Sequence, residues 1–489
     1  MKKIKYILTS VIAAGIFFSC DLDRFPASSI DQSQSFQTVS DADKLVRGAY
    51  ATWRGLMYGS YQMLSDVQSD LLHATVAYGN RNGNYYNWNF TSADTSLPWA
   101  GLYYFIANLN NIINNIDNVT PKDDNEKTQL ANLKGEAYLM RAYAYHVLVQ
   151  RYAKDYEPET AATDLGVPLV LEYDITLKPS RATVEAIYNH IVNDLTEAKK
   201  LINATKNDVI PTRVTDDVVT ALEARVYLCM HKWNEAASAA NSLINKKTYP
   251  LDDTVDAFKA MWVDDNSKEI IMQLFLSDVE SVNQNSTYLG YSNGTKKYTP
   301  DYVPEKWVYD LFDAKDIRKT VYFKTDILDI LGTDYTGIYM INKYPRTERF
   351  SASGDYQHSP IIFRIAEMYL ISAEAAAQST LTEGAALSTL NALREKRGLD
   401  ALNGLWGETL MNEIRNERTR ELLCEGFRLD DLKRWKLGIK RSQAQDATII
   451  TPSSINLEKL VGDNKFVLAI PREDIMTNPN LKGQQNPGW

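Results

Sequence analysis

The stretch EIRNERTRELLCEGFRLDDLKRW at 413–435 decides the fold. Glu413, Glu417 and Glu421 recur one helical turn apart with Arg418 and Arg420 interleaved, a spacing that allows ion pairs along one helix and across to its neighbours. Gly426 breaks that helix, Phe427 to Trp435 begins the next, and Arg428 with Asp430 and Asp431 ties the turn. Acid–base catalysis on a glycoside would need two carboxylates converging in a cleft about 5–10 Å apart. Helices studded with both signs form no such cleft. The pattern therefore reads as a charged lattice that locks packed helices, and Arg364, Glu367 and Glu374 in RIAEMYLISAE (364–374) read the same way. No residue is given a catalytic role.

Working outward, apolar and small residues return at helical spacing over 97–118, 128–152, 181–201, 215–230, 232–246, 361–379 and 383–397. Thr183 is a cap candidate ahead of Ile187. Ala221 and Ala224, then Ala236, Ala237 and Ala240, sit where close helix packing wants small residues, and KWNEAASAANSLI looks like a tetratricopeptide helical hairpin. The expected fold class is all-α, a tetratricopeptide-like hairpin scaffold with long irregular loop insertions. Residues 74–96 and 277–304 are the clearest long loops, and such loops usually carry function. The ending NPNLKGQQNPGW (478–489) is turn chemistry and predicts an ordered extended tail.

The opening MKKIKYILTSVIAAGIFFSC has a basic start (Lys2, Lys3, Lys5) and an apolar run from Ile7 to Phe18, too short for a bilayer of roughly 30 Å. Residues 1–19 read as a lipoprotein signal peptide, with Cys20 as the lipidation site and Asp21 and Asp23 opening a polar tether. Without residues 1–19 the balance is 50 basic against 62 acidic residues, a net −12, which argues against nucleic acid as a partner. Cys229 and Cys424 lie inside apolar helical patterns and are expected as separate buried thiols. No CxxC or HExxH spacing occurs, and neither a metal site nor a cofactor is expected.

Four ordered segments, RIAEMYLISAE (364–374), LNALREKRG (390–398), the 413–435 stretch and NPNLKGQQNPG (478–488), together resemble the SusD/RagB family of nutrient-binding lipoproteins. The resemblance continues through DADKLVRGAY (41–50), Trp99–Asn115, Gly135–Tyr152 and Gly166–Leu169, while about 250–350 carries no placeable motif. It implies one SusD-like domain over 20–489: a scaffold at about 36–250 and 360–440, ligand-facing insertions at about 74–96 and 250–350, and a tail at 440–489. It also implies a lipid-anchored place on the outer-membrane surface and a SusC-like TonB-dependent transporter as partner. The ligand would be an oligosaccharide, with peptides the alternative from the RagB side.

The window YGNRNGNYYNWNF (78–90) mixes aromatics with asparagine, which suits a neutral polyhydroxylated ligand: flat rings meet sugar C–H faces while amides fix hydroxyls. Arg81, Asn82, Tyr85, Tyr86, Trp88 and Asn89 are the candidates here, with Trp88 and Tyr86 sharing one face if the stretch is strand-like. Tyr291 and Tyr298 are the candidates from the second loop, whereas Trp307 and Tyr309 fit a core helix.

Overall fold

A computed structural model describes residues 35–57, 60–79, 81–174, 176–205, 210–277, 286–346, 357–379, 383–452 and 456–489. The expected signal peptide and Cys20 lie outside the described residues. Twelve helices carry the architecture: α1 (Val39–Met57), α2 (Ser60–Gln68), α3 (Ser96–Asn115), α4 (Asp124–Tyr152), α5 (Val184–Leu201), α6 (Asp216–Cys229), α7 (Trp233–Lys246), α8 (Val255–Val263), α9 (Ile365–Gln378), α10 (Glu383–Lys396), α11 (Gly407–Glu421) and α12 (Arg428–Arg434).

Local chemistry sets the helix ends. The Thr183 side chain accepts a bond from the Ala186 amide at 3.1 Å and starts α5. Asp123 caps α4 through the Glu126 amide at 2.8 Å, and Glu126 reaches back to the Lys122 amide at 2.8 Å. α11 ends at Glu421, and the turn that leads on to α12 passes through left-handed Cys424 (φ +55°) and Gly426 (φ +85°), the second a conformation glycine adopts without steric cost.

The helices pack in pairs, α3 and α5 against α4, α6 against α7, and α9 against α7, α10 and α11. Ala221, Ala224, Ala236, Ala240, Ala366 and Ala373 are fully buried at these contacts, where a larger side chain would push the axes apart. Cys229 and Cys424 are buried, unpaired thiols.

The expectation of an all-α chain needs one correction. Twelve short strands form six two-stranded antiparallel ladders among the described residues. They are β1 (Leu72–Ala74) with β5 (Tyr302–Pro304), β2 (Leu165–Pro168) with β3 (Arg181–Thr183), β4 (Ile270–Gln273) with β10 (Ile361–Arg364), β6 (Phe323–Lys324) with β9 (Met340–Ile341), β7 (Leu328–Ile330) with β8 (Thr333–Tyr335), and β11 (Ile439–Lys440) with β12 (Glu458–Lys459). Residues 181–183 and 361–364, expected as helix, are strands whose backbone groups bond a distant segment. Helical periodicity over so few residues does not exclude a strand.

The lattice read from 413–435 is buried rather than superficial. Glu417 accepts from Arg318 at 2.5 Å, Arg394 at 3.0 Å and Arg420 at 2.7 Å. Glu421 accepts from Arg318 at 2.8 Å, from Arg397 at 2.9 Å and from Arg364. Arg397 also holds Glu269 beside β4, and Arg364 holds Glu425 at 2.7 Å. Arg318 and Glu269 belong to the 250–350 segment in which the sequence offers no motif, and the lattice ties that segment to the end of α10 and to α11.

Burial works against an ionised Glu417, but the guanidiniums of Arg318, Arg420 and Arg394 outweigh it and hold its carboxyl at about 2. A carboxyl depressed in the folded state contributes stability above its unfolded pKa of about 4.3 and loses it as pH falls through the folded value. Replacing Glu417 by Gln should therefore lower unfolding free energy at pH 7 by about 3–5 kcal/mol, because three guanidiniums lose a shared counter-charge. In urea titrations repeated from pH 7 down to pH 2, the gap between the two proteins should narrow below about pH 4. A gap that is constant with pH would show that Glu417 acts by packing alone.

Candidate functional site

The two loop windows meet on one ladder. β1 pairs with β5 in the register Leu72–Pro304, His73–Val303, Ala74–Tyr302. Behind it, His73 lies 3.0 Å from Glu305, both fully buried. Past β1, the Thr75 amide bonds Asp301 O at 2.8 Å, the Val76 amide bonds Ile449 O at 2.7 Å, and the Thr451 amide bonds Ala74 O at 3.0 Å. Past Leu289, Tyr291 bridges to Tyr298 around the Asn293–Gly294 turn, and Tyr298 in turn bridges to Leu328 on the β7–β8 hairpin. A small core of Leu289, Tyr298, Val303, Leu328, Ile330, Met340, Ile449 and Ile450 supports these loops from below, with Val76, Tyr291 and Tyr335 packed against it.

Within the first window the structure divides the candidates into two groups. Tyr86, Trp88 and Tyr85 are internal, at 0%, 3% and 8% exposure. The expected strand, with Tyr86 and Trp88 sharing an outward face, is instead a short helix (Gly83–Tyr86) entered through left-handed Asn82 and followed by left-handed Trp88. The Tyr86 hydroxyl accepts from the Ala74 amide at 2.9 Å, and the Arg441 guanidinium lies 3.9 Å from its ring centroid. Arg441 donates to Tyr86 O, Ser69 O and Val67 O at 2.8, 2.9 and 2.8 Å, which ties the loop to the end of α2. Trp88 donates its indole N–H to Gln68 O at 2.9 Å and packs on Phe466 at 5.0 Å, and Lys465 bonds the Trp88 and Phe90 carbonyls at 3.1 and 3.0 Å. Tyr85 stacks on Phe90 at 4.9 Å and donates its hydroxyl to Asp94 O at 2.7 Å. These three rings fix the loop and leave no face at the surface. That corrects the expectation that they present stacking platforms.

The second group reaches solvent. Asn89 is exposed and Asn82 half-buried. Arg81 keeps 48% of its side chain exposed while its Nε donates to Asp301, and its carbonyl accepts from the Tyr302 hydroxyl at 2.5 Å. Tyr78 stands beside it, half-buried, edge-on to Tyr302 at 6.2 Å. From the second window, Tyr291 is half-buried, with the Arg346 guanidinium 4.5 Å from its ring centroid and Arg346 donating to Asn293 Oδ1 at 2.9 Å. Tyr298 is buried, its hydroxyl accepting from Lys324 Nζ at 2.7 Å and its ring 4.9 Å from that of Tyr291. Sequence reasoning missed Arg346 because its stretch carries no motif. Tyr78 could have been found from the window's aromatic content.

Among the described residues no group of His, Cys, Asp and Glu could hold a metal ion, and no helix is long and apolar enough to cross a membrane. Glu417 and Glu421 are committed to guanidiniums inside the lattice.

With this arrangement established, comparison with known proteins places the chain. A family model described as the SusD family matches residues 319–489, and one described as starch-binding associating with the outer membrane matches residues 22–228. The two matches run in order and leave 1–21 and 229–318 uncovered. The chain belongs to the SusD family. SusD-like protein P2 of Formosa agariphila is 25% identical, over 99% of this chain and all of its own. The structure of a SusD superfamily protein from Bacteroides thetaiotaomicron superposes with a TM-score of 0.78 at 25% identity, covering 92% of this chain and 100% of that one. A SusD-like carbohydrate binding protein from Bacteroides vulgatus shares the fold with a TM-score of 0.76 at 21% identity, covering 92% of this chain and 98% of its own. The SusD-like chain thus keeps the family scaffold.

The division of the loop aromatics makes a measurable statement. Trp88→Ala should lower stability by about 3–5 kcal/mol, the range for emptying a buried aromatic site. Thermal unfolding followed by circular dichroism checks it. A Trp88→Ala protein as stable as the parent would put the ring back at the surface.

Proposed function

We propose that this SusD-like chain captures a neutral oligosaccharide on the face beside the β1–β5 ladder and passes it to a SusC-like TonB-dependent transporter. The observation that carries the reading is the joining of two windows, distant in sequence, by that ladder. Arg81, Asn82 and Asn89 from one and Tyr291 from the other offer donors, acceptors and part of an aromatic ring at the surface, the mixture that hydroxyls and C–H faces require. Tyr85, Tyr86, Trp88 and Tyr298 serve as the rigid backing, so little ordering entropy is lost on binding.

A neutral ligand fits because cations of this face are already matched: Arg81 to Asp301, Lys297 to Asp334, and Lys324 to Asp326. The description of the family matched over 22–228, starch-binding and outer-membrane-associated, points the same way. The chain acts by binding rather than by catalysis, since its paired acids are locked in the lattice. The helical pairs act as a tetratricopeptide-like scaffold at about 36–250 and 360–440, with the ladder-joined loops as ligand-facing insertions. A lipid on Cys20, after removal of residues 1–19, tethers it at the cell surface as one domain.

Retention of the purified domain on immobilised polysaccharides and peptides tests the ligand class. Glycan retention is expected, and retention on peptides alone would reverse the assignment. For the glycan retained best, Tyr291→Ala should weaken binding at least about tenfold by calorimetry, as truncating an aromatic hot spot does, with melting little changed. Full affinity in a folded Tyr291→Ala protein would remove this face from consideration.

The anchor is tested separately. Cys20→Ser should release the protein from outer-membrane fractions without unfolding it. Retention through a high-salt wash would refute the tether, because salt strips charge-held proteins but does not mask an absent lipid.

A further inference from the structure

A cavity of about 100 Å³ lies inside the scaffold, where α1, α3, α4 and α6 meet β10, α11 and α12. It sits on the seam between the N-terminal and C-terminal helical halves, and none of its lining residues comes from β1 or β5. Its lining mixes apolar residues such as Leu102 and Phe105 with polar and charged ones. Three polar side chains of that lining carry atoms with no protein partner among the described residues. His146, 1% exposed, has both ring nitrogens free of any protein bond. Arg418, 3% exposed, donates its Nε to Asp431 at 2.6 Å, while its Nη1 finds no acceptor. Asp430 takes Arg151 on Oδ2 at 3.0 Å and leaves Oδ1 unmatched.

The unmatched set combines donors with acceptors. Burial, aided by the Arg225 charge, pushes the His146 pKa down to about 3, so the ring is neutral and offers one N–H and one lone pair. Arg418 adds a donor and Asp430 an acceptor. An anion would meet the Asp430 carboxylate, and a cation would meet the guanidiniums of Arg151, Arg225 and Arg418. Water satisfies donors and acceptors together. Each water needs roughly 10–15 Å³ of such space and two to four polar partners, so the cavity holds several.

We propose that this cavity is a resident-water site: a small hydrogen-bonded cluster that joins His146 on α4 to Arg418 on α11 and Asp430 on α12. The water completes the polar contact between the two halves, independently of what the outer face captures. Two measurements on the full chain decide it. A high-resolution crystal structure should show ordered waters about 3 Å from a His146 nitrogen and from Arg418 Nη1. Direct closure of these side chains on one another, a dry void, or an organic solute in their place would overturn the proposal. In solution, His146→Phe should lower Tm by about 2 °C or more, as the ring displaces water from Arg418 and Asp430, and His146→Asn should restore part of the loss. A rise in Tm for His146→Phe would mark a dry cavity relieved of two unpaired nitrogens. Failure of His146→Asn to recover any of the loss would equally count against it.

Discussion

The sharing of Glu417 and Glu421 among the guanidiniums of Arg318, Arg364, Arg394, Arg397 and Arg420 is the constraint on which the remaining structure depends. Two carboxylates taken out of water would be strongly disfavoured alone. Here each accepts several charge-assisted bonds, and the partners come from separate parts of the chain: the middle insertion, β10, α10 and α11 itself. Hydrophobic burial supplies the bulk of the driving force, but it is non-directional. The lattice adds direction, since a guanidinium fork meets a carboxylate in few geometries. A slipped helix would strand several buried charges at once.

The same device recurs where the loops are held. Arg441 is fully buried with three main-chain carbonyls as acceptors, and Arg181, also buried, bonds the carbonyls of Gly166, Gln484, Tyr152 and Leu165. Each gathers carbonyls from separate segments of the chain onto one guanidinium. The C-terminal segment therefore does more than close the chain. Through Arg441 and Lys465 it grips the aromatic–asparagine loop, and through Asn486, bonded to Tyr152 O at 2.9 Å, it grips the end of α4. The face proposed for binding rests on such loops, which are preorganised despite containing little regular structure.

The largest rings of the aromatic–asparagine window face inward, where their sequence suggested stacking platforms. Alternation of side-chain faces requires extended backbone over 85–90. Left-handed Asn82 and Trp88 defeat it by bracketing one short helical turn, and αL backbone at a bulky residue is rarely signalled by the residue itself. Trp88 holds that conformation because its indole N–H has Gln68 O and its ring has Phe466, partners far away in the chain. Arg346 was illegible for a related reason: its place beside Tyr291 and Asn293 arises from tertiary packing alone.

By itself the sequence determined much of the helical scaffold, the Thr183 cap and the presence of a charge lattice, because these depend on spacing within a turn or two. Thr183 as a cap, the alanine faces of α6 and α7, and the interleaved acids and arginines of 413–435 could all be read that way. Tertiary structure alone decided which arginines answer Glu417 and Glu421, that 181–183 and 361–364 leave their helices to pair as strands, and that the two loop windows share one ladder. It also decided which aromatics face inward. A ring buries itself or meets a ligand according to what lies above it, and in this fold that cover comes from residues hundreds of positions away, such as Arg441 over Tyr86 and Phe466 against Trp88.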